Sequence, residues 1–306
     1  MQFRKVLTIL FVLLLSISLS SCPLFPRGRL RGSEPQISIF MHETGEKRSI
    51  RLEDYLKGVV AAEMEPDWPV EALAAQAIIA RTFTVERLEN GGGVRRLHGT
   101  DVCNDETHLQ AYDPGRITDQ VIEAVDKTRG LIAVFQGRPV RAWFHASSGG
   151  KTATPGEGLG FDKEATPYLR SIEDPMGVGK ETRWEASFTQ GEVATALSGL
   201  GKNIGSLESA EVAERGPSGR AISIRLNDLE VPANQLRFAL GPERMRSTLI
   251  DELRVEGNNL VMIGKGFGHG VGMSQWGARN MAEAGKSCEE IVKFYYKDVT
   301  FERRWQ

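Results

Sequence analysis

The chain has 306 residues, a length that suffices for one large domain or two small ones. Charged residues make up 25% of it and the formal net charge is -2 at pH 7, which is typical of a globular protein. A strong basic excess is the usual electrostatic signature of nucleic-acid binding. The composition therefore predicts no nucleic-acid partner and favours a neutral or mixed-charge substrate.

The first 22 residues have the pattern of a secretion signal. Two basic residues precede an apolar run over 6–15, which is too short to span a bilayer comfortably as a helix. The run ends in Leu-Ser-Ser-Cys at 19–22, which resembles the cleavage box of a bacterial lipoprotein with Cys22 as the lipidated residue. An ordinary cleaved signal and an uncleaved anchor are the alternatives. Residues 23–35, rich in Pro, Arg and Gly, predict a tether, so the domain is expected outside the cytoplasm, held at a membrane.

Short strands at 37–40 and 49–52 lead into a predicted helix from Leu52 to Met64. At about 100° per residue, the apolar stripe of this helix is made by Tyr55, Leu56, Val59 and Val60. Glu63 falls near the centre of the stripe, so its carboxyl is predicted to point toward the protein. Burial without a cation raises the pKa of a carboxyl, which suits a general acid. The alternative is that Glu63 reaches solvent from a frayed last turn, because Pro66 follows.

The next helix also carries a charge on its buried face. Asp67 is its predicted N-cap, Pro69 suits its first turn, and apolar positions continue from Val70 into the eighties. Arg81 projects from the middle of this stripe. A structural ion pair between Glu63 and Arg81 is the alternative to a catalytic role, and it would lower the pKa of the glutamate that burial alone would raise.

Beyond a glycine break at 91–93 and a polar loop to residue 112, helices and short strands mix without a repeating βαβ pattern. The predicted elements are a helix at 118–128, a β-hairpin of 131–135 with 140–145, a helix capped at 189–192, a hairpin of 207–213 with 221–226, a helix near 232–240, strands at 253–256 and 260–263, and helices at 274–284 and 287–296.

This order of elements predicts the α+β class, with helices and mostly antiparallel short strands in two lobes that flank a substrate cleft. The domain is expected to cover residues 36–302. Its core lobe consists of 36–167 plus 261–302, and its second lobe of about 168–260.

Glycine occupies every second position from Gly264 to Gly272. An extended conformation would leave one face as bare backbone, which something flat could approach closely, while His269 lies on the other face. The spacing differs from the dinucleotide and phosphate-loop patterns, so a sugar ring is the favoured ligand. A hydrogen-bonded structural role is the alternative for His269.

Four segments together resemble the stage II sporulation protein D family, also called the amidase-enhancer or LytB family. They are Val-Val-Ala-Ala-Glu-Met at 59–64, Glu-Ala-Leu-Ala-Ala-Gln-Ala-Ile-Ile-Ala-Arg-Thr at 71–82, Phe-His-Ala-Ser-Ser-Gly-Gly-Lys-Thr at 144–152 and Gly-Phe-Gly-His-Gly-Val-Gly-Met-Ser-Gln-Trp-Gly-Ala at 266–278. With weaker matches between them, the resemblance runs from about residue 36 to 300.

The resemblance implies a lytic transglycosylase that cuts peptidoglycan glycan strands and leaves a 1,6-anhydro sugar end. It implies Glu63 as the catalytic acid and Arg81 as a second residue that matters to activity. The implied substrate-binding residues are His145, Ser147, Ser148, Gly149, His269, Ser274 and Gln275. The rival function is a binding module that grips glycan and stimulates a partner cell-wall amidase without chemistry of its own. Sporulation itself does not follow from the family name.

Some members of that family carry a zinc site in the loop after the second helix. Here His98, Cys103 and His108 are the candidate ligands and Leu109 stands where a fourth would be; Asp101 and Glu106 are the alternatives for completing the site. The alternative is a polar loop whose histidines face solvent. A disulfide between Cys103 and Cys288 is also open, although Cys288 lies in the first turn of a predicted helix.

Overall fold

A computed structural model describes residues 30–91, 93–179 and 182–306. The predicted signal, Cys22 and most of the tether lie outside these residues. In the described part of the chain, no helix is both long and apolar enough to cross a membrane.

Helices and short strands are intermixed along the described chain. The helices are α1 (Leu52–Glu63), α2 (Val70–Glu89), α3 (Arg95–His98), α4 (Asp119–Lys127), α5 (Pro155–Leu159), α6 (Gln190–Gly199), α7 (Ala233–Leu240), α8 (Gln275–Glu283) and α9 (Cys288–Tyr295), with a 3-10 turn at Pro114–Arg116. The strands are β1 (Gln36–Phe40), β2 (Lys47–Arg51), β3 (Val102–Cys103), β4 (Leu131–Phe135), β5 (Arg138–Pro139), β6 (Phe144–His145), β7 (Arg183–Thr189), β8 (Ala210–Arg215), β9 (Ala221–Leu226), β10 (Leu229–Pro232), β11 (Leu249–Glu256), β12 (Asn259–Lys265), β13 (Met273–Ser274) and β14 (Thr300–Arg303).

The strands form several small sheets, so the predicted α+β class is confirmed. Three-stranded sheets have the orders β2-β1-β3, β10-β9-β8, β11-β12-β7 and β14-β4-β5. Most pairs are antiparallel, but β1 with β3 and β6 with β13 are parallel. These two parallel pairs join segments that are distant in the chain, and both lie next to the candidate site.

Helix α2 is the centre of the larger hydrophobic core. Its alanines at 72, 74, 75, 77 and 80 are fully buried, so α1, α4, α8 and α9 all pack closely against it. The N-cap differs from the prediction: Pro69 holds that position without a side-chain bond, and Asp67 does not cap the helix. The predicted capping boxes of α6 and α9 are confirmed, with Thr189 paired to Glu192 and Ser287 to Glu290.

A separate hydrophobic core is built only from residues between Trp184 and Met262. Its strands and helices are β7 to β12 with α6 and α7, and this range lies close to the second lobe expected from the sequence. The two-lobe division remains a prediction about domain bounds, but the side chains do cluster in two groups.

The predicted hairpin of 131–135 with 140–145 is only partly right. β4 pairs with the short β5 and, on its other edge, with β14 from the end of the chain. β6 leaves this sheet and pairs with β13 in parallel. The N–H of Val140 still donates to the carbonyl oxygen of Ala133 at 3.2 Å, but regular pairing with β4 stops there. Cys103 and Cys288 are both buried and free, so the disulfide alternative is wrong.

Candidate active site

Glu63 is the last residue of α1, and the chain turns extended at Met64. Its side chain is only partly exposed. Oε1 of the carboxylate accepts the backbone N–H of Ala111 at 2.8 Å. Ala111 belongs to the polar loop after α2, so this loop and the end of α1 together hold the acid. The carboxyl is neither free in solvent nor sealed in the core.

The pKa of Glu63 is raised from an ordinary value of 4.5 to about 7. Burial is the main cause, because it disfavours the charged form, and the negative charge of Glu106 acts in the same direction. The Ala111 N–H and the Gln275 side chain oppose the shift. A carboxyl of this kind is present in both protonation states near pH 7, which is what a residue needs to give a proton and take one back.

Gln275 begins α8, directly after the N-cap Ser274. Its amide lies near enough to the Glu63 carboxyl to lower its pKa. Its Nε2 atom is buried, yet it makes no hydrogen bond of normal geometry with any described residue. Ser274 is fully buried, and its hydroxyl accepts the N–H of Gly277 at 3.2 Å. Of this predicted pair, Gln275 is therefore the residue whose amide N–H has no partner, and Ser274 caps the helix that Gln275 begins.

A surface pocket of about 480 Å³ is lined by Ala62, which precedes Glu63 in the chain, and by Ala111, whose N–H binds the Glu63 carboxylate; Glu63 itself does not line it. That size is within the usual range for ligand sites. The remaining lining residues are mostly polar and of both charges: His42, Glu43, Asn104, Asp105, Glu106, Tyr112, Asp113 and Arg116. A polar, mixed-charge lining suits a hydroxyl-rich ligand better than an apolar one.

Arg81 does not meet Glu63. Its guanidinium makes a bidentate pair with Glu53, at 2.9 Å from Nε to Oε1 and 2.7 Å from Nη2 to Oε2. The side chains of Arg81 and Glu53 are 0% and 1% exposed, so the arginine cannot touch a substrate from this position. The predicted ion pair between Arg81 and Glu63 is wrong, because Arg81 pairs with Glu53, which lies ten residues before Glu63 on α1. The prediction that Arg81 acts directly in catalysis is wrong for the same reason.

His145 and His269 lie side by side, with ring centroids 5.7 Å apart. Nδ1 of His145 lies 3.1 Å from the carbonyl oxygen of Val271, and its buried Nε2 has no partner among the described residues. Nδ1 of His269 accepts the N–H of Val271 at 3.0 Å. Burial lowers the pKa of His145 well below its ordinary value; burial, then Arg237 and Arg220, lower the pKa of His269 to about 3. Both rings are therefore neutral at pH 7.

The predicted substrate residues Ser147, Ser148 and Gly149 converge on one carbonyl oxygen, that of Gly177. The hydroxyls donate to it at 2.7 and 3.3 Å, and the Gly149 N–H at 3.3 Å. Both serines are buried. Their hydroxyls are thus used inside the protein, and the segment shapes the site without offering these groups to a ligand.

The glycine segment is not a bare strand face. β12 ends at Lys265, and Gly266, Gly268, Gly270 and Gly272 all have positive φ, from 75° to 100°. A Cβ on Gly272 would lie 1.9 Å from the carbonyl oxygen of Trp143, and one on Gly270 would lie 2.5 Å from Cζ of Arg220. The protein's own chain occupies the space that a sugar was expected to approach, so that expectation is wrong.

Arg220 joins the two groups of side chains at this point. It is fully buried just before β9, and it donates to the carbonyl oxygens of Lys151 at 2.7 Å and of Ser148 at 2.6 Å. Burial lowers its pKa to about 10, so it stays charged at pH 7. The guanidinium therefore fastens the second lobe to the segment that carries Ser147 and Ser148.

The three candidate metal ligands of the polar loop come together. His98 Nε2 lies 3.4 Å from His108 Nδ1, which in turn lies 3.9 Å from Cys103 Sγ. A fourth side chain, His42, joins them, and all four ligand atoms lie within 4.8 Å of one another. The two acidic residues considered for the fourth position do not take it, and Asp101 instead binds Ser38 and Arg95.

Known proteins share this sequence over most of its length. Residues 41–135 match the family model described as Stage II sporulation protein, and residues 171–272 match a domain of unknown function (DUF8618). The stage II sporulation protein D of Bacillus amyloliquefaciens is 31% identical, over 88% of this chain and 79% of its own length. The chain belongs to the stage II sporulation protein D family. Membership of this family gives the chain a role related to the cell wall.

Two further relatives are longer than this family member. An uncharacterized protein of Brachyspira hyodysenteriae (strain ATCC 49526 / WA1) is 34% identical over 82% of this chain and 66% of its own length. A protein of Bacillus subtilis (strain 168) called amidase enhancer is 28% identical over 80% of this chain and 40% of its own length. The chain thus spans just under two thirds of the first and less than half of the second.

The sequence motifs do not predict one aromatic pair of the site, Trp68 with Trp276. Trp68 follows Glu63 by five residues, and Trp276 follows Gln275; their rings lie 4.9 Å apart, centroid to centroid. The Arg279 guanidinium lies 5.7 and 5.2 Å from the two rings. Both tryptophans are partly exposed, so they offer an amphipathic surface of the kind that binding sites favour. The adjacency of Trp276 to Gln275 was the available signal.

Proposed function

We propose that this family member is a lytic transglycosylase that cleaves the glycan strands of peptidoglycan. One observation carries the proposal: the partly buried Glu63 carboxyl, whose pKa burial raises to about 7, is held by Ala111, a residue that lines a polar pocket. Among the described residues no lysine or arginine pairs with its carboxyl. A structural carboxylate would normally have such a partner, as Glu53 does.

In the proposed reaction, protonated Glu63 gives its proton to the oxygen that bridges two sugars as the bond from C1 to that oxygen breaks. The bonding electron pair leaves with the oxygen, which becomes a hydroxyl. The carboxylate then takes the proton of the 6-hydroxyl on the same ring, and that oxygen bonds to C1 to close the 1,6-anhydro ring. One carboxyl serves both steps, unlike the two-carboxylate glycosidases.

The hydrogen bonds around Glu63 support a defined division of labour between its oxygens. Oε1 accepts from Ala111, so we assign the transferable proton to Oε2. The unpaired Nε2 of Gln275 is placed to donate to the substrate or to the carboxylate form that follows proton transfer. Water need not take part in bond formation, since the attacking oxygen belongs to the sugar.

The experiment compares Glu63→Gln with Glu65→Gln, a control at an exposed glutamate two residues later, whose described ion pair is with Arg116 on the pocket wall. Each protein is incubated with purified peptidoglycan and with strands whose stem peptides have been removed, and anhydro ends are counted by mass spectrometry. Glu63→Gln should lose on the order of 10²-fold or more in rate, and the control should not. Full activity of Glu63→Gln would remove this residue from the mechanism.

A second function is favoured by the relative called amidase enhancer. In that case the same pocket would bind glycan, and a partner cell-wall amidase would do the cutting. The protein alone would then give no anhydro product from any strand type, with zinc present, while Glu63→Gln would still stimulate the amidase. Retained stimulation without product selects this function over the first.

We further propose that the domain works outside the cytoplasm and is anchored by lipid on Cys22, as the sequence pattern indicates. A Cys22→Ala variant expressed in a bacterial host should move from the membrane fraction to a soluble one. Zinc is proposed as a resident ion at His98, Cys103 and His108. The nitrogen and sulfur donors that the structure brings together are those that zinc prefers, and at a site of this kind the ion would hold structure.

A further inference from the structure

The metal cluster contains a ligand from outside its loop. His98 and His108 flank Cys103 within one loop, but His42 lies on the turn between β1 and β2. Its ring centroid is 4.7 Å from that of His98 and 5.4 Å from that of His108. With bonds of about 2.1 Å to nitrogen and 2.3 Å to sulfur, the edges of a tetrahedral zinc site are about 3.3–3.6 Å. The 3.4 and 3.9 Å that join His108 to His98 and Cys103 are close to these edges, and all four donor atoms, including that of His42, lie within 4.8 Å of one another, so the side chains would move inward to meet one ion.

Backbone pairing fixes the position of His42 beside the loop. β3 pairs in parallel with β1, so Cys103 stands opposite Phe40. The N–H of His42 donates to Oδ1 of Asn104 at 2.9 Å, and the amide of Asn104 donates to Glu43. Phe40 stacks on the His98 ring with centroids 4.4 Å apart. The register of the turn and the loop is therefore set by contacts that do not involve a metal ligand atom.

We propose that His42 is the fourth protein ligand of this site, so that a bound divalent ion ties the β1–β2 turn to the loop that holds Glu63. Three imidazoles and one thiolate make a closed four-ligand set, which is the arrangement of structural zinc sites and leaves no open position for a substrate. The inference rests on the proposed zinc, but it does not depend on chemistry at Glu63.

The tie reaches the acid through a short length of chain. From His108 the loop runs to Ala111, whose N–H binds Glu63, and then to Tyr112, whose ring stacks on Tyr55 of α1 at 5.4 Å. The N–H of Asp113 donates to the carbonyl oxygen of Gly58 at 3.1 Å. This end of the loop is thus fastened to α1, and the ion would fasten the other end to the turn. Ala111, whose N–H is the one described hydrogen-bond donor to Glu63 Oε1, lies between these two attachment points.

A competing interpretation gives His42 a partner without a metal. Oδ2 of Asp105 lies 4.0 Å from His42 Nε2 and 3.7 Å from His108 Nδ1, which would be weak ion pairs if the rings were protonated. Such exposed pairs contribute little. An Asp105→Asn variant separates the two interpretations, because it removes the carboxylate charge and keeps all four metal ligands.

The test titrates zinc and cobalt into full-length wild type, His42→Ala, His42→Cys, Asp105→Asn and the turn control Thr44→Ala. Bound metal is measured by elemental analysis, affinity by competition with a chelator, and geometry by the visible bands of cobalt. We expect one ion per chain, with tetrahedral bands and a thiolate band, in wild type, Asp105→Asn and Thr44→Ala. His42→Cys should keep the ion and strengthen the thiolate band, and His42→Ala should bind at least tenfold more weakly.

Circular dichroism of the metal-free proteins checks that each variant folds, and hydrogen exchange of residues 41–47 gives a second readout. Zinc should slow exchange in this turn in wild type and His42→Cys, and should fail to do so in His42→Ala. Equal affinity and equal cobalt bands in wild type and His42→Ala would overturn the proposal, as would loss of binding in Thr44→Ala. None of these measurements uses glycan, so failure of the proposed enzyme activity would leave this result distinct.

Discussion

Helix α1 carries two glutamates, Glu53 and Glu63, whose surroundings differ in kind. Glu53 receives the Arg81 guanidinium, the N–H of Gly130 at 3.0 Å and the indole N–H of Trp305 at 2.8 Å. Glu63 receives one backbone N–H and no cation among the described residues. Two carboxyls on one helix are thus prepared for opposite tasks.

The difference teaches that partners, and not position on an apolar stripe, decide what a buried acid does. Three donors, one of them the Arg81 guanidinium, hold the Glu53 side chain in place and make it part of the core. Near Glu63 the main effect is desolvation, and the donors are too few to reverse it. Four experiments can break or sharpen this contrast.

The largest effect is expected on the Glu53 side. Arg81→Ala should lower the free energy of unfolding by about 3–5 kcal/mol, because it leaves a buried carboxylate without its cation. Denaturant unfolding followed by circular dichroism measures it. Arg81→Lys keeps the charge but loses the bidentate geometry, so its free energy of unfolding should lie between those of wild type and Arg81→Ala. An Arg81→Ala protein as stable as wild type would show that the pair is not a core element.

The second effect is a pH dependence on the Glu63 side. The folded pKa of about 7 lies above the ordinary 4.5, so the folded chain binds this proton more tightly than the unfolded chain does. The associated stability is present in full below pH 4.5 and is lost as pH rises through 7, by up to about 3 kcal/mol. The stability of Glu63→Gln relative to wild type should therefore rise between pH 4.5 and 7, measured as the free energy of unfolding at each pH. A constant difference would argue against the raised pKa.

The third effect tests the weak donor beside Glu63. Gln275→Met removes an amide that lowers the pKa of the acid, so the pKa should rise by up to about one pH unit, since a hydrogen bond to a charged group contributes on the order of 1.5 kcal/mol. Carbon-13 NMR titration of labelled glutamate carboxyls reports it directly. A fall in pKa, or no change, would show that Gln275 does not interact with this carboxylate.

The smallest effect concerns two tryptophans: Trp276, which follows Gln275, and Trp305, whose indole N–H binds Glu53. Trp276→Ala should weaken binding of soluble glycan fragments by roughly fivefold, because stacked aromatic surface contributes on the order of 1 kcal/mol. Its control, Trp305→Phe, removes the indole N–H from Glu53 and should change stability without changing glycan affinity. Calorimetric titration distinguishes them. Equal affinity of Trp276→Ala and wild type would exclude this surface from glycan binding.

Much of the fold could be predicted from the sequence. The stripes of α1 and α2 and the capping boxes of α6 and α9 are local patterns, and local patterns set where those helices begin and end. Pairings between distant segments could not be predicted. β14 joins β4, and β6 leaves its expected hairpin for β13, because these short strands carry too little pattern to specify a partner.

The candidate site shows the same limit. Glu63 and the three ligands of one loop could be found because each lies in a recognisable motif. His42 could not, since a strand pairing across 62 residues brings its turn to Asn104. The partner of Arg81 was also missed: Glu53 and Glu63 both lie on α1, and only the packing of α2 against α4 and β4 shows which one the guanidinium reaches.

Arg220 on Gly270 has a mechanical consequence. Its guanidinium donates to the carbonyl oxygens of Ser148 and Lys151, and a Cβ on Gly270 would lie 2.5 Å from Cζ of this buried cation. Any side chain at position 270 would therefore have to displace the guanidinium, so replacing this glycine should detach residue 220 from the chain segment that it holds.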